Sequence, residues 1–324
     1  MAVFSTAVPG LFERRLIFVT GKGGVGKSTV STALGVLAAR RGLRTIVAEL
    51  ASQERVRQAF GQGGDTFAEV ALGERLFTIS VDPQYAMEEY LKVKTGPVGQ
   101  ALGSSRLFQA FAMATPGMRE LLSVGKVWEL SQDRRRTEDA NPYDLVIVDS
   151  PAAGHGVGIL RTPRTFAEIA RVGPIAQQGR AIAATIADRD FTAVVAVTTA
   201  EEMPVNETLW LRDALAAEQL PLDAVIVNAR YPERFAPGER SALMAAREHA
   251  SGPQARAALS AAVSEQARAA SQSAEVERLS GGLGQPLVEL PYLFAEDMGP
   301  GELETLADAL DRGLREPAAA ELVS

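Results

Sequence analysis

The sequence predicts an α/β protein with a doubly wound, mostly parallel sheet. Three observations predict it. Short apolar runs alternate with amphipathic helical runs along most of the chain. Two of the apolar runs, Leu16–Thr20 and Asp144–Asp149, are continuous rather than alternating, as in strands buried on both faces. A glycine-rich turn, Gly21–Thr29, joins the first of these strands to a helix. The 324 residues suffice for one large unit of this class.

Taken in order, Met1–Glu13 is a lead-in. After the strand Leu16–Thr20 and the glycine turn, Val30, Leu34 and Leu37 define a helix face. The helix runs to about Arg41, where Gly42 ends it. Thr45–Leu50 reads as a buried strand, Gly61–Asp65 as a loop and Arg75–Val81 as a third strand. Residues 83–141 then show few strand signals. Tyr85–Leu91 is one helical piece, and Met118, Leu121, Leu122, Gly125 and Trp128 share a face on another. So long an excursion predicts a helical insertion rather than a simple crossover. Arg134–Arg136 reads as a solvated face. The strand Asp144–Asp149 is followed by helical pieces at Phe166–Val172 and Ile175–Ile186. Thr192–Thr198 (strand), Asn206–Gln219 (helix) and Asp223–Asn228 (strand) continue the alternation. Residues 238–279, rich in Ala, Arg, Glu and Ser, predict exposed helices with a break at Ser251–Pro253. Leu287–Leu290 is a last strand, and Leu303, Leu306, Leu310 and Leu314 stripe a final helix. There is no internal repeat. The expected organisation is therefore one domain over residues 1–324, with the insertion at 83–141 and further helical segments near 161–189 and 238–279.

Composition narrows the function. The net charge of −7 favours neither nucleic acid nor an anionic membrane. The absence of cysteine excludes disulfides, Fe–S clusters, thiolate zinc sites and cysteine-based arsenite binding. The N-terminus lacks a basic-then-apolar signal pattern, and no apolar run approaches membrane-spanning length. A cytoplasmic protein without zinc or nucleic acid is expected, with a peripheral membrane partner left open.

The turn reads Gly21-Lys22-Gly23-Gly24-Val25-Gly26-Lys27-Ser28-Thr29. Strand, glycine loop and helix in succession make this a Walker A phosphate loop. The glycines let backbone N–H groups converge on phosphate oxygens, and the helix adds free N–H groups and its dipole. Lys27 would reach the β- and γ-phosphates of ATP, and Ser28 would offer its hydroxyl to Mg²⁺. Asp149, at the end of a buried strand, is placed as the acid that orients Mg²⁺ or its waters. Small residues after it, Ser150-Pro151-Ala152-Ala153-Gly154-His155, suit a segment that responds to a γ-phosphate.

Lys22 is the second lysine of the loop, in a chain with only five lysines. Here the sequence resembles the deviant-Walker-A ATPases, or SIMIBI class, within the P-loop NTPase fold. The resemblance implies that Lys22 reaches across a dimer interface to the partner's nucleotide. The run from Asp149 to His155 resembles the second switch of the arsenite-pump (ArsA) and tail-anchored-protein targeting (Get-type) ATPases, with Asp149, Gly154 and His155 in place. In that family Val227-Asn228 would bond the adenine ring, and Pro291, Tyr292, Leu293 and Phe294 resemble the loop that covers it. Thr199–Pro204 through Glu207-Thr208 is similar to a further family segment. The resemblance spans about residues 15–312. It implies an ATP-driven dimeric switch that binds a client or partner through its helical insertion.

One segment departs from the family. Counting back from Ala59-Phe60, the aspartate that positions the attacking water falls on Ala51, and Ser52, Gln53 and Glu54 replace the residues after it. Alanine neither accepts a proton nor orients water. Either Glu54 or Glu49 takes the role, or hydrolysis is slow or absent. The sequence thus leaves three functions open: an ATPase switch, homodimeric or paired with a sister ATPase; a regulatory nucleotide-binding subunit that has lost hydrolysis; and a positioning ATPase of the MinD/ParA type, against which the acidic tail Gly301–Ser324 argues. Phe108, Phe111, Met113 and Met118 suit a groove for hydrophobic helices, although at helical spacing such residues more often form plain core.

Overall fold

A computed structural model describes residues 10–50, 54–63, 65, 67–92, 114–136, 140–170, 173–283 and 287–315. Its strands are β1 (Leu16–Thr20), β2 (Thr45–Glu49), β3 (Val70–Ala71), β4 (Leu76–Ser80), β5 (Leu145–Asp149), β6 (Thr192–Thr199), β7 (Ala224–Arg230) and β8 (Leu287–Pro291). They form one sheet in the order β3-β4-β2-β5-β1-β6-β7-β8. Every pairing is parallel except β3 with β4. The sheet grows from β1 in both directions, so the chain reverses its winding beside β1. A crevice opens at such a point, outside the carboxyl ends of the strands.

The helices are α1 (Lys27–Arg40), α2 (Arg55–Ala59), α3 (residues 83–92), α4 (Met118–Leu130), α5 (Ala153–Ala170), α6 (Pro174–Ala187), α7 (Glu202–Ala217), α8 (Arg240–His249), α9 (Pro253–Leu283) and α10 (Pro300–Leu314). They cover the sheet on both faces, which explains why β1, β2 and β5 are buried at every position. Side chains alternate between the two cores. Ile17, Val19, Val47 and Ile147 face α1 and α10. Leu16, Phe18, Ile46 and Val148 face α4, α5, α6 and α7. The leucine stripe of α10 is buried at Leu303, Leu306, Leu310 and Leu314, as its spacing predicts.

Several boundaries and faces differ from expectation. The edge strand β3 is too short for periodicity to reveal. Helix α5 begins at Ala153, well before Phe166. Its first turns contain Gly154, Gly156 and Gly158, which propensity reads as loop. Tertiary packing overrides that preference, because Val157, Ile159 and Leu160 join the core. A Cβ on Gly156 would lie 2.4 Å from the Thr20 hydroxyl, so glycine lets α5 start hard against the end of β1. On α4 the buried face is Leu121, Val124, Val127 and Leu130. Met118, Leu121, Leu122 and Gly125 do share a face, lining a small apolar cavity of about 120 Å³ with Met87, Tyr90 and Ile182. Phe108, Phe111 and Met113 lie outside the described residues.

The arginine run is not a solvated face. Only Arg134 is exposed. Arg135 is buried against Glu69 and Glu129, at 2.5 and 2.9 Å. Arg136 stacks over the rings of Tyr90 and Trp128. Glu69 lies 66 positions away in sequence, so local reading could not have paired it. No helix among the described residues is long and apolar enough to cross a membrane.

Candidate functional site

The site is built at the carboxyl ends of β1 and β5. β1 ends at Thr20, and the chain turns at Gly21 with φ of 141°. A Cβ there would lie 2.1 Å from the backbone oxygen of Val197 on β6. Gly21→Ala is therefore expected to destabilise the protein by at least about 1–3 kcal/mol, read from urea unfolding, because the loop must leave the sheet to relieve the overlap. Gly26 has φ of 90°, and a Cβ on it would meet the Asn228 amide nitrogen at 2.3 Å. Gly23 and Gly24 leave open space above the loop, with nothing near a Cβ on Gly24 within 4 Å. Val25 turns inward and is buried, anchoring the loop.

Lys27 opens α1, and its Nζ donates to the backbone oxygens of Gly21 at 3.0 Å and Lys22 at 2.9 Å. The ammonium is thereby drawn across its own loop. Burial holds its pKa below the ordinary lysine value, against the opposing pull of Asp149 and Glu207. The Ser28 hydroxyl donates to Asp149 Oδ2 at 2.5 Å. The other carboxylate oxygen of Asp149, Oδ1, is buried without a hydrogen-bond partner among the described residues. Burial pushes this carboxyl up, partly offset by the Ser28 bond and the Lys27 charge. A hydroxyl and a carboxylate with an unsatisfied oxygen are the hard donors Mg²⁺ takes, so the residues present fit that ion. Thr29 lines a cavity of about 460 Å³ beside Ser28.

Lys22 pairs with Glu207 of α7 at 3.4 Å. Gly154 and His155 fall in the first turn of α5, directly after the segment that follows Asp149. Asn228 donates its side-chain amide to the Val25 oxygen at 3.0 Å, which ties β7 to the phosphate loop. Pro291 ends β8, and Tyr292 stacks on Tyr231 with ring centres 4.6 Å apart. Phe294 meets Tyr292 edge-on and is 63% exposed, while Leu293 packs toward α1 and α10. The wall of the cavity near Ser28 comes instead from Asp297, Met298 and Gly299.

The segment after β2 arranges its carboxylates unequally. Ala51, Ser52 and Gln53 lie outside the described residues. Glu49 ends β2 in register with Asp149. Its Oε1 accepts from the backbone N–H groups of Arg55 at 2.8 Å and Val56 at 3.3 Å. Burial pushes the Glu49 carboxyl up to about 7. Glu54 adopts left-handed backbone, φ 52°, and its carboxylate pairs with buried Arg57 at 2.5 Å. Arg55, which sequence reasoning passed over, faces the same cavity as Ser28 and Thr29. Its only sequence signal is a basic residue inside a segment otherwise read for its acids.

A strand, a glycine loop closed by its own lysine, and a serine–aspartate pair thus meet at the winding reversal. The family model for anion-transporting ATPases matches residues 14–178 and 168–250. The chain belongs to the anion-transporting ATPase family. ATPase BagA of Mycobacterium tuberculosis is 30% identical over 230 residues, covering 69% of this chain and 67% of that protein. ATPase get3 of Botryotinia fuckeliana is 29% identical over 166 residues, 51% of this chain and 47% of its own. ATPase GET3 of Podospora anserina is 25% identical over 252 residues, 66% and 72% of the two chains. Membership gives the glycine loop of this anion-transporting ATPase homologue a setting in which nucleotide chemistry is the rule.

Proposed function

We propose that the protein binds Mg-ATP at Gly21–Thr29, hydrolyses it, and couples the nucleotide state to a client or partner as a dimeric switch. The observation that carries this reading is the Ser28–Asp149 contact at the mouth of the loop, with Asp149 Oδ1 left unsatisfied. Bound Mg²⁺ would neutralise phosphate charge there. Around it, this chain's own groups would act as follows. Lys27 would move from the loop carbonyls to phosphate oxygens. The backbone of Gly23, Gly24, Val25 and Gly26 would cradle the phosphates, with Thr29 at the helix start. Asn228 would hold the loop and meet the base, and Pro291, Leu293 and Phe294 would flank it. Gly154 and His155 would report the terminal phosphate through α5.

In this reading residues 1–324 form one ATPase domain, and residues 83–141 form the helical insertion that meets the client. The dimer would be homomeric or formed with a sister ATPase, in the cytoplasm, without zinc or nucleic acid. Lys22 would leave Glu207 to contact the partner's phosphates. Lys22→Ala is therefore expected to cut turnover at least about 10-fold while equilibrium binding of nucleotide to isolated chains changes little. Phosphate release beside a binding titration checks both.

A second reading, a nucleotide-binding regulatory subunit without hydrolysis, is favoured by the engagement of Glu54 with Arg57 and by Ala51. Steady-state phosphate release on the pure protein separates the two. Turnover lost in Lys27→Ala supports the enzyme, whereas tight ATP binding with no turnover supports the subunit.

A further inference from the structure

We propose that Arg55 makes the site prefer a nucleoside triphosphate over a diphosphate, by binding the terminal phosphate from the α2 side, and that Glu49 positions it. The proposal rests on the nucleotide reading above and names the group that reads the third phosphate. Arg55 opens α2 and lines the cavity of about 460 Å³ together with Ser28 and Thr29. It is exposed, and no hydrogen bond or ion pair to another described residue engages its guanidinium. The neighbouring arginine is different: Arg57 is buried against Glu54. The Arg55 charge also reaches Lys27 and Asp149, favouring the deprotonated form of each.

Its placement is fixed from below. Glu49 is 2% exposed and sits at the end of β2, one strand from Asp149 and in register with it. Its carboxylate holds the Arg55 and Val56 backbone N–H groups. The start of α2 is therefore tied to the same row of strand ends that carries Asp149. A guanidinium on that row presents a planar fork of donors toward the phosphate loop, a geometry suited to phosphate oxygens. A diphosphate lacks the group this fork would meet.

The test is a pair of equilibrium titrations with Mg²⁺ present, using a fluorescent non-hydrolysable ATP analogue and the matching ADP analogue. Wild type should prefer the triphosphate. Arg55→Ala should weaken the triphosphate by about 10-fold to 100-fold and leave the diphosphate within about 2-fold, with Arg55→Lys in between. The backbone N–H that Glu49 holds is kept in both variants, and an unchanged ligand-free melting curve checks that the fold is intact. Glu49→Ala should erode the same preference. If wild type binds both nucleotides and Arg55→Ala keeps the preference, Arg55 does not read the third phosphate, although the nucleotide site stands. If wild type binds neither nucleotide, the nucleotide reading falls and the role of Arg55 falls with it.

Discussion

Lys27→Ala is expected to reduce ATP turnover by at least about 100-fold. The loop draws this lysine over its own backbone, through Gly21 and Lys22. Those two carbonyl bonds hold the ammonium within a side-chain swing of where phosphates would sit. Burial already disfavours its charge, so a dense cluster of phosphate oxygens would be its best partner. An alanine keeps the helix start, since α1 begins at this residue and alanine is a strong helix former. The loss should therefore appear in phosphate release and not in the circular dichroism spectrum. A variant that folds and turns over at the wild-type rate would show that Lys27 has no part in the chemistry.

Glu129→Ala is expected to cost about 3–5 kcal/mol of stability, far from the phosphate loop. Glu129 is fully buried on α4. It accepts from Lys126 Nζ at 3.0 Å, Arg135 Nε at 2.9 Å and the Arg136 backbone N–H at 2.8 Å. Removing it takes one carboxylate partner from each of two cations that are themselves almost wholly inside. Glu69 and Glu89 remain as their other partners and limit the loss. Burial alone would raise the Glu129 carboxyl, yet Lys126, Arg135 and the Arg136 amide overcome it and hold it below the ordinary carboxylate range. A carboxylate depressed in the folded state stabilises the fold above its unfolded pKa. That contribution is lost as pH falls through the folded value. Resistance of the wild type to urea should thus fall below about pH 4, and the Glu129→Ala variant should show less of this dependence. Equal unfolding midpoints for the two proteins at neutral pH would contradict the assignment.

These two residues differ in how far the sequence announces them. Lys27 belongs to a local pattern in which strand, loop and helix follow one another, so nine consecutive positions state its setting. The buried strands and the α10 stripe are legible for the same reason, since hydrophobic spacing is a local property. Glu129 depends on Arg135 and, through it, on Glu69, which only the folded sheet edge brings together. The glycines at the start of α5 hide it from propensity, and one of them, Gly156, is there for close approach to Thr20. In the segment after β2, the family pattern points to a missing acid at Ala51. The geometry instead sets Glu49 beside Asp149, ties Glu54 to Arg57 and turns Arg55 toward the cavity.

The most direct test of the account is calorimetric titration of ATP into the pure protein, with Mg²⁺ and then with the metal chelated. The arrangement of Ser28, Asp149 and Lys27 predicts one ATP per chain. Its affinity should fall at least about 10-fold on removal of Mg²⁺ and further in Lys27→Ala. No saturable binding, or binding indifferent to both the metal and Lys27, would contradict it.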